Sequence, residues 1–250
     1  MCLKYNWSHC LWCVNNNPSA AVSAAVSAAV SAAVSAAVSA RLPLEPKIFA
    51  TGDDNGGVAL WDIRQQAAVV KFNPQNDYVA DMCIDGPGGR LLAGSGDGTL
   101  AVFSLRQRKL LGKSEFVGDE ILSLQVMKHG KKIVGGCQSG IINIWDADDW
   151  GSISDCFPGH PESVQTLVKI DEDTMLSGSS DDLIRVMNVH PNKIVGVLGE
   201  HEGDFPVKCV AMSRQRDFVA SISHDATIKF WDLTCDEVYF DHVASAQHTE

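Results

Sequence analysis

Short runs of apolar or alternating apolar and polar residues recur along the chain from residue 48 onward. Runs lie at 78–84, 121–128, 164–170 and 207–213. Three of them are followed by turns rich in Gly, Asp or Lys, at 86–89, 129–131 and 171–173. Apolar runs of about four to eight residues, separated by turn signals every 8–12 residues or so, are typical of antiparallel β-strands. No convincing amphipathic helix follows residue 41. The pattern therefore predicts an all-β fold.

Five segments share one further pattern: small residues, a polar turn, a short strand, and then Trp-Asp or a substitute. They are residues 50–62, 93–104, 135–146, 177–188 and 220–232. Trp61, Phe103, Trp145, Met187 and Trp231 occupy the Trp position, at successive spacings of 42, 42, 42 and 44 residues. A period of about 40–45 residues that ends in Trp-Asp indicates the four-stranded blades of a propeller. The chain thus resembles WD-repeat β-propellers, with repeats that end near 62, 104, 146, 188 and 232.

The sequence predicts three regions: a low-complexity or disordered leader at 1–40, the propeller at 48–240, and a tail at 241–250. The leader contains Ala-Ala-Val-Ser five times in tandem from Ala20 onward, and biased tetrapeptide repeats of this kind are poor material for a packed core. Residues 35–44 would have to supply the inner strand of the first repeat, but they consist of the end of the low-complexity segment and the stretch that begins Arg41-Leu42-Pro43. The first repeat is therefore expected to lack this strand. WD propellers usually have seven blades, so we expect a partial ring that lacks two N-terminal blades. A tight five-bladed ring is the alternative.

Resemblance to WD repeats also implies a hydrogen-bonded tetrad of His, Ser or Thr, Asp and Trp that joins the strands of one blade. The last repeat alone has all four residues: His201, Ser221, Asp225 and Trp231. The fourth repeat keeps the matching His160, Ser177 and Asp181 but has Met187 in place of Trp. The remaining repeats depart further from the tetrad, with Asn55, Ser139 and Gly118-Asp119 at expected positions. Packing between blades is therefore expected to hold most of the fold together.

Several segments are more specific than the general signature. They are 50–57, 77–82, 95–100, 127–132, 191–196 and 223–225. In this order they resemble the eukaryotic WD repeat-containing protein 55 family over essentially all of residues 48–233. The resemblance implies a non-enzymatic scaffold for protein partners in a multi-protein complex, working in ribosomal RNA processing and ribosome biogenesis. It also implies a nuclear or nucleolar location; the cytoplasm is the alternative.

Trp61, Asp62 and Arg64 form a second candidate interaction motif, since they fit the WDxR box of propellers that dock on the adaptor of cullin-4 ubiquitin ligases. The Arg would supply a charge-assisted contact to a carboxylate of the adaptor. The alternative function is therefore a substrate receptor of such a ligase. An ordinary solvated arginine at a strand end is the simpler interpretation of Arg64.

Charge and composition argue against direct nucleic-acid binding, a membrane span and a disulfide framework. The formal net charge of −11, from 20 Lys and Arg against 31 Asp and Glu, argues against direct binding of nucleic acid. No apolar run is long enough to cross a membrane. Four of the eight cysteines, Cys83, Cys137, Cys156 and Cys209, fall singly in or beside apolar stretches, which indicates a reducing compartment and no disulfide framework.

No cofactor, metal site or catalytic residue is predicted. His9, Cys10 and Cys13 supply only half of a zinc site, and Asp171-Glu172-Asp173 fits a solvated turn. Gly112-Lys113-Ser114 lacks the earlier glycine of a phosphate-binding loop. The glycines of 94–98 fit a tight turn. His224-Asp225 has no nucleophile elbow beside it.

Overall fold

The computed structural model describes residues 38–45, 47–65, 67–86 and 89–233. Their strands form five antiparallel sheets, each a meander in which consecutive strands are neighbours. The sheets follow one another along the chain as five blades of a propeller, which confirms the all-β prediction. The motif of His9, Cys10 and Cys13, most of the predicted leader and the predicted tail at 241–250 lie outside the described residues.

The strand bounds show how closely the blades repeat. Blade 1 contains β1 Val38–Glu45, β2 Ile48–Asp53, β3 Val58–Asp62 and β4 Val70–Phe72. Blade 2 contains β5 Val79–Asp85, β6 Arg90–Ser95, β7 Leu100–Ser104 and β8 Lys109–Lys113. Blade 3 contains β9 Ile121–Met127, β10 Lys132–Cys137, β11 Ile141–Asp146 and β12 Asp155–Pro158, with a 3₁₀ turn at Lys128–Gly130. Blade 4 contains β13 Val164–Lys169, β14 Thr174–Ser179, β15 Leu183–Asn188 and β16 Lys193–Glu200. The described part of blade 5 contains β17 Val207–Met212, β18 Phe218–Ser223 and β19 Ile228–Asp232.

The expectation that the first repeat lacks an inner strand is wrong, because β1 fills that place and begins inside the predicted leader. β1 pairs with β2 from Val38 opposite Asp53 to Glu45 opposite Ile48. This inner strand tolerates Pro43 because it is at the edge of its sheet and needs ladder hydrogen bonds on one side only. The register shifts on both sides of the paired segment, between Val38 and Ala40 and between Pro43 and Glu45.

The core consists of apolar layers between consecutive blades. The third strand of each of blades 1 to 4 sends two side chains toward the next blade, and the residue at the Trp position of that next blade packs over them. In one such layer, Leu100 and Val102 of blade 2 pack with Trp145 of blade 3. In the next layer, Ile142 and Ile144 of blade 3 pack with Met187 of blade 4. This repeated packing explains why Phe or Met can replace Trp while the propeller geometry is kept.

Blade 5 presents an uncovered face. The inner strands of successive blades contact one another from β1 to β17, but no comparable contact joins β17 to β1 among the described strands. Ile228 and Phe230 stand where Leu100 and Val102 stand in blade 2. Their exposed fractions are 59% and 66%, whereas both blade 2 residues are fully buried. The five described blades therefore form an arc with an apolar face at one end.

Candidate functional site

The four predicted tetrad residues of blade 5 lie together in one hydrogen-bonded chain. Trp231 Nε1 donates to Ser221 Oγ at 2.8 Å, and Ser221 Oγ lies 2.8 Å from His201 Nε2. His201 Nδ1 lies 2.7 Å from Asp225 Oδ2. One proton arrangement satisfies every atom: Ser221 accepts from the indole and donates to Nε2, while Nδ1–H donates to the carboxylate. The chain links strands β18 and β19 to the loop after β16.

Asp225 is held in its charged form by this chain. Burial acts to raise the pKa of its carboxyl, but hydrogen bonds from His201 and Thr227 outweigh burial and bring the pKa well below its ordinary value. Ser, His and Asp in a row also have the composition of a hydrolytic triad. Ser221 and His201 are, however, 0% and 1% exposed, so the hydroxyl has no open path to a substrate. The arrangement fits a structural clamp.

Blade 4 departs from the arrangement expected of it. His160 Nε2 lies 2.7 Å from Ser177 Oγ, as in blade 5. Asp181, however, binds the guanidinium of Arg185 through two hydrogen bonds of 2.9 and 2.6 Å. His160 Nδ1 is buried without a hydrogen-bond partner. Burial and the nearby positive charge of Arg185 lower the pKa of His160 to about 4. Although the sequence contains the three residues, the structure joins only two of them.

Blades 1 and 2 make different hydrogen bonds at the tetrad positions. In blade 1, Trp61 Nε1 donates to Thr51 Oγ1 at 2.9 Å. This hydrogen bond joins the Trp and the Ser or Thr position of the tetrad. In blade 2, the amide of Gln75 donates to the carbonyl oxygens of Ala93 and Thr99 at 3.1 and 2.9 Å. Gln75 stands four residues before Val79, just as His160 stands four residues before Val164. That spacing is the signal by which Gln75 could have been found from sequence.

Neighbouring blades are also joined by hydrogen bonds that no sequence motif predicts. Asp81 Oδ2 accepts the backbone N–H of Leu124 at 2.8 Å, from blade 2 to blade 3. Ser123 Oγ donates to the carbonyl oxygen of Val164 at 3.1 Å, from blade 3 to blade 4. Desolvation between the blades raises the pKa of Asp81 to about 6. These polar contacts lie along the inner strands, where the blades are closest.

The candidate WDxR box lies where β3 ends. Trp61 is buried inside blade 1, while Asp62 is 7% exposed. Arg64 has a side chain that is 62% exposed, and it folds back so that Nε and Nη2 lie 2.8 and 2.5 Å from the Asp62 carboxylate. Hydrogen bonds and charge from Arg64 lower the pKa of Asp62 to about 2. One edge of the guanidinium is thus occupied within the box, and Nη1 forms no hydrogen bond within the described part of the chain.

Acidic side chains are concentrated at one end of the blades, which we call the acidic end. It consists of the loops 54–57, 73–78, 96–99, 114–120, 138–140, 159–163, 180–182, 201–206 and 224–227. These loops, all of them described, contain no Lys or Arg and carry twelve acidic residues: Asp54, Asp77, Asp97, Glu115, Asp119, Glu120, Glu162, Asp181, Asp182, Glu202, Asp204 and Asp225. Phe116 and Phe205 stand among them with exposed fractions of 68% and 44%. Exposed aromatic rings beside carboxylates form a surface suited to cationic segments.

The opposite end has a balanced charge, and we call it the mixed end. Its described residues are 47, 63–65, 67–69, 86, 89, 105–108, 128–131, 147–154, 170–173, 189–192 and 213–217. These turns carry eight basic residues: Lys47, Arg64, Arg106, Arg108, Lys128, Lys131, Arg214 and Arg216. They carry six acidic residues: Asp148, Asp149, Asp171, Glu172, Asp173 and Asp217. The excess of negative charge in the loops therefore belongs to one end of the molecule.

The described residues offer no cluster of His, Cys, Asp and Glu suited to a metal ion. Cys83, Cys137, Cys156 and Cys209 are free thiols. The described residues form no helix of the length and apolar character needed to cross a membrane.

Comparison with known proteins identifies the family. The family model WDR55 matches residues 17–235. WD repeat-containing protein 55 of Rattus norvegicus is 37% identical over 193 residues, which are 77% of this chain and 50% of that protein. The Arabidopsis thaliana protein of the same name is 37% identical over 188 residues, which are 74% of this chain and 52% of that protein. The chain thus spans about half the length of these relatives.

Among solved structures, the computationally designed Ika8 protein matches with a TM-score of 0.65 and 23% sequence identity, over 78% of this chain and 58% of that one. This likeness supports the propeller fold alone. The match of the family model to most of the chain, together with the five blades, shows that the chain belongs to the WD repeat-containing protein 55 family.

Proposed function

We propose that this protein is a non-enzymatic scaffold that binds basic protein segments during ribosome assembly in the nucleus or nucleolus. The scaffold role is that of WD-repeat propellers in general, which present loops and blade faces to protein partners. The role in ribosomal RNA processing follows from the family resemblance stated above.

The acidic end is the observation that carries the proposal. Its loops combine acidic side chains with the exposed rings of Phe116 and Phe205, and they contain no Lys or Arg. Carboxylates around aromatic rings attract Lys-rich and Arg-rich peptides, both at long range and on contact. Proteins that coat ribosomal RNA carry such segments, because they must neutralise phosphates. The same end would repel RNA itself, which supports protein partners over direct binding of nucleic acid.

The experiment that tests the proposal is depletion of the protein in cells that express it, followed by rescue. Ribosomal RNA precursors are measured by northern blotting, and co-sedimentation of the tagged protein with pre-ribosomal particles is measured on sucrose gradients. We expect precursors to accumulate on depletion and wild-type protein to restore processing. Unchanged precursors together with no co-sedimentation would overturn the ribosomal role.

A matched pair of variants tests the acidic end. Glu115→Lys with Glu162→Lys reverses two exposed charges at the acidic end, and Asp148→Lys with Asp149→Lys reverses two exposed charges at the mixed end. We expect the first pair to lose co-sedimentation and the second to keep it. Equal behaviour of the two pairs would show that partners bind elsewhere.

Docking on a cullin-4 ligase adaptor through Trp61, Asp62 and Arg64 is the second candidate. The observation that favours it is the exposed guanidinium, which Asp62 orients while leaving Nη1 available. Arg64→Ala should sharply reduce adaptor capture if the box is used. Arg214→Ala, at the same end of blade 5, is the control and should leave capture unchanged.

A further inference from the structure

A cleft opens between blades 1 and 2 at the mixed end, with a volume of about 410 Å³. Its apolar lining residues come from both blades: Leu44, Ile48, Leu60, Val69, Ile84 and Leu105. Pockets of a few hundred cubic ångströms with apolar walls and a few polar groups at the rim are typical of sites for small ligands or single side chains. The cleft is thus large enough for one or two apolar side chains of a partner.

The charges at the rim of the cleft are arranged asymmetrically. Arg106 and Arg108 line it from the turn between β7 and β8, and Glu45 and Asp62 line it from blade 1. Asp62 is already neutralised by Arg64. Neither Arg106 nor Arg108 forms an ion pair within 4 Å in the described part of the chain, and both are exposed. The blade 2 side of the rim therefore offers two unpaired guanidinium groups, and the blade 1 side offers the carboxylate of Glu45.

The turn that carries these arginines is well ordered by local contacts. Gln107 donates its backbone N–H to Ser104 Oγ at 3.1 Å, and Arg108 has a φ of +52°. A positive φ is uncommon for a residue other than glycine. The tight turn keeps Arg106 and Arg108 beside the apolar walls, and Lys109 follows at the start of β8. Guanidinium groups held near an apolar cleft recognise carboxylates through charge-assisted hydrogen bonds.

We propose that this cleft binds a short acidic peptide segment of a partner protein. An apolar side chain of the segment occupies the space between Leu60 and Leu105, and neighbouring carboxylates contact Arg106 and Arg108. Repulsion by Glu45 places the acidic residues on the blade 2 side. A peptide fits better than a nucleic acid, because the walls are aliphatic and offer no aromatic ring on which a base could stack. The inference rests on the proposed role as a protein-binding scaffold, but it concerns a surface other than the acidic end.

The chain contains its own control for this proposal. Arg214-Gln215-Arg216, in the turn between β17 and β18, repeats the tripeptide at 106–108 at the same end of the molecule. Arg216 has a φ of +61°, close to that of Arg108. Arg216, however, donates to the carbonyl oxygen of Ile170 at 3.0 Å, and it does not line the cleft between blades 1 and 2. Replacing either Arg pair by Gln removes the same charge from the same local sequence.

The test uses fluorescence polarisation of a labelled peptide, Asp-Asp-Leu-Phe-Asp-Asp, with the whole chain. We expect saturable binding that weakens with added salt. Arg106→Gln with Arg108→Gln should weaken it by about tenfold or more, which is the loss expected for two charge-assisted contacts. Arg214→Gln with Arg216→Gln should change it less than about twofold, the scale of a remote surface charge. Circular dichroism confirms that all variants are folded.

Two further probes make the outcome decisive. A peptide with Ser-Ser in place of Leu-Phe should not bind, since it cannot fill the apolar cleft, and a uridine oligonucleotide should not compete. No binding of the acidic peptide, equal losses in the two Arg pairs, or displacement by the oligonucleotide would each overturn the proposal. None of these results depends on ribosomal RNA processing or on Glu115 and Glu162, so failure here is distinguishable from failure of the proposed function.

Discussion

The ring of Trp145 on β11 lies over Gly135 on the neighbouring strand β10 of blade 3, and the indole Nε1 of Trp145 is buried without an acceptor. In blade 5 the residue that matches Gly135 is Ser221, which accepts the indole N–H of Trp231. An added Cβ on Gly135, however, would lie only 2.8 Å from Trp145 Cζ3. The ring of Trp145 thus occupies the space that a serine side chain would need.

Gly135→Ser should therefore destabilise the protein, although it restores the residue of the usual tetrad. Overpacking against a rigid indole costs about 1–3 kcal/mol, more than the roughly 1 kcal/mol gained from one hydrogen bond. Urea denaturation followed by Trp fluorescence measures the change in the free energy of unfolding. A more stable variant would show that the indole can shift and accept the hydroxyl.

Arg185→Met should raise the pKa of His160 by about one unit or more, because the nearby positive charge is lost and Asp181 is released to face the imidazole. The folded value starts at about 4, and NMR titration of the His160 ring measures it. Lys229 occupies in blade 5 the place of Arg185, since the two stand opposite Ser221 and Ser177. Lys229→Met is the control and should leave the pKa of His160 unchanged. If Arg185→Met also leaves it unchanged, burial alone sets the pKa.

Asp81 should make the fold less stable as the pH rises from about 4 to 6. Its pKa in the folded protein is about 6, above the value of 3.8 for a solvated group. Between these values the folded state binds more protons than the unfolded state, so stability falls with rising pH. His160 has the opposite effect over an overlapping range, because its lowered pKa removes stability as the pH falls below about 6.5.

Asp81→Asn separates the contribution of Asp81 to the pH dependence of stability from that of His160, because the amide does not titrate. Its oxygen can still accept the N–H of Leu124. We expect the free energy of unfolding of the variant, minus that of the wild type, to increase by about 1–3 kcal/mol between pH 4 and pH 7. Asp148→Asn should give a flat difference. A flat difference for Asp81→Asn as well would mean that water reaches the carboxyl between blades 2 and 3.

Substitutions at equivalent positions in blades 3 and 5 should differ greatly in how much they lower the free energy of unfolding. Ile144 is 1% exposed and Phe230 is 66% exposed, although both stand one residue before the Trp position. Ile144→Ser should cost about 3–5 kcal/mol because it leaves a cavity and a buried hydroxyl. Phe230→Ser should cost less than about 1 kcal/mol and should lower the fluorescence of a bound hydrophobic dye. A similar large loss for Phe230→Ser would show that the face of blade 5 is covered in solution.

The repeat predicted the blades well because its signals are local. Trp-Asp and its substitutes mark the end of each third strand, and apolar runs mark the inner strands. The observed strands Ile121–Met127 and Val207–Met212 therefore agree with the predicted runs to within about one residue. β1 was not predicted because its first three residues, 38–40, belong to the tetrapeptide repeat and its later part includes Pro43, and both features disfavour a strand unless the pairing partner is known.

The polar contacts were harder to predict than the strands. Asp181 pairs with Arg185 instead of His160, and the spacing of residues along the chain does not reveal which of two candidate partners a carboxylate binds. Gln75 replaces a histidine with a different residue type, so a search for His overlooks it. The charge difference between the two ends becomes visible only when each loop is assigned to an end, which requires the order of strands within the sheets.

The acidic end gives the molecule an electric dipole along the axis of the propeller. The electric field would therefore orient a charged partner before contact and steer it to one end of the blades in preference to their outer edges. Orientation of this kind raises the association rate constant and leaves the dissociation rate constant almost unaffected. Beyond about 10 Å at 0.1 M salt the field is screened, so complexes at the acidic end should form more slowly as salt is added and, once formed, last nearly as long.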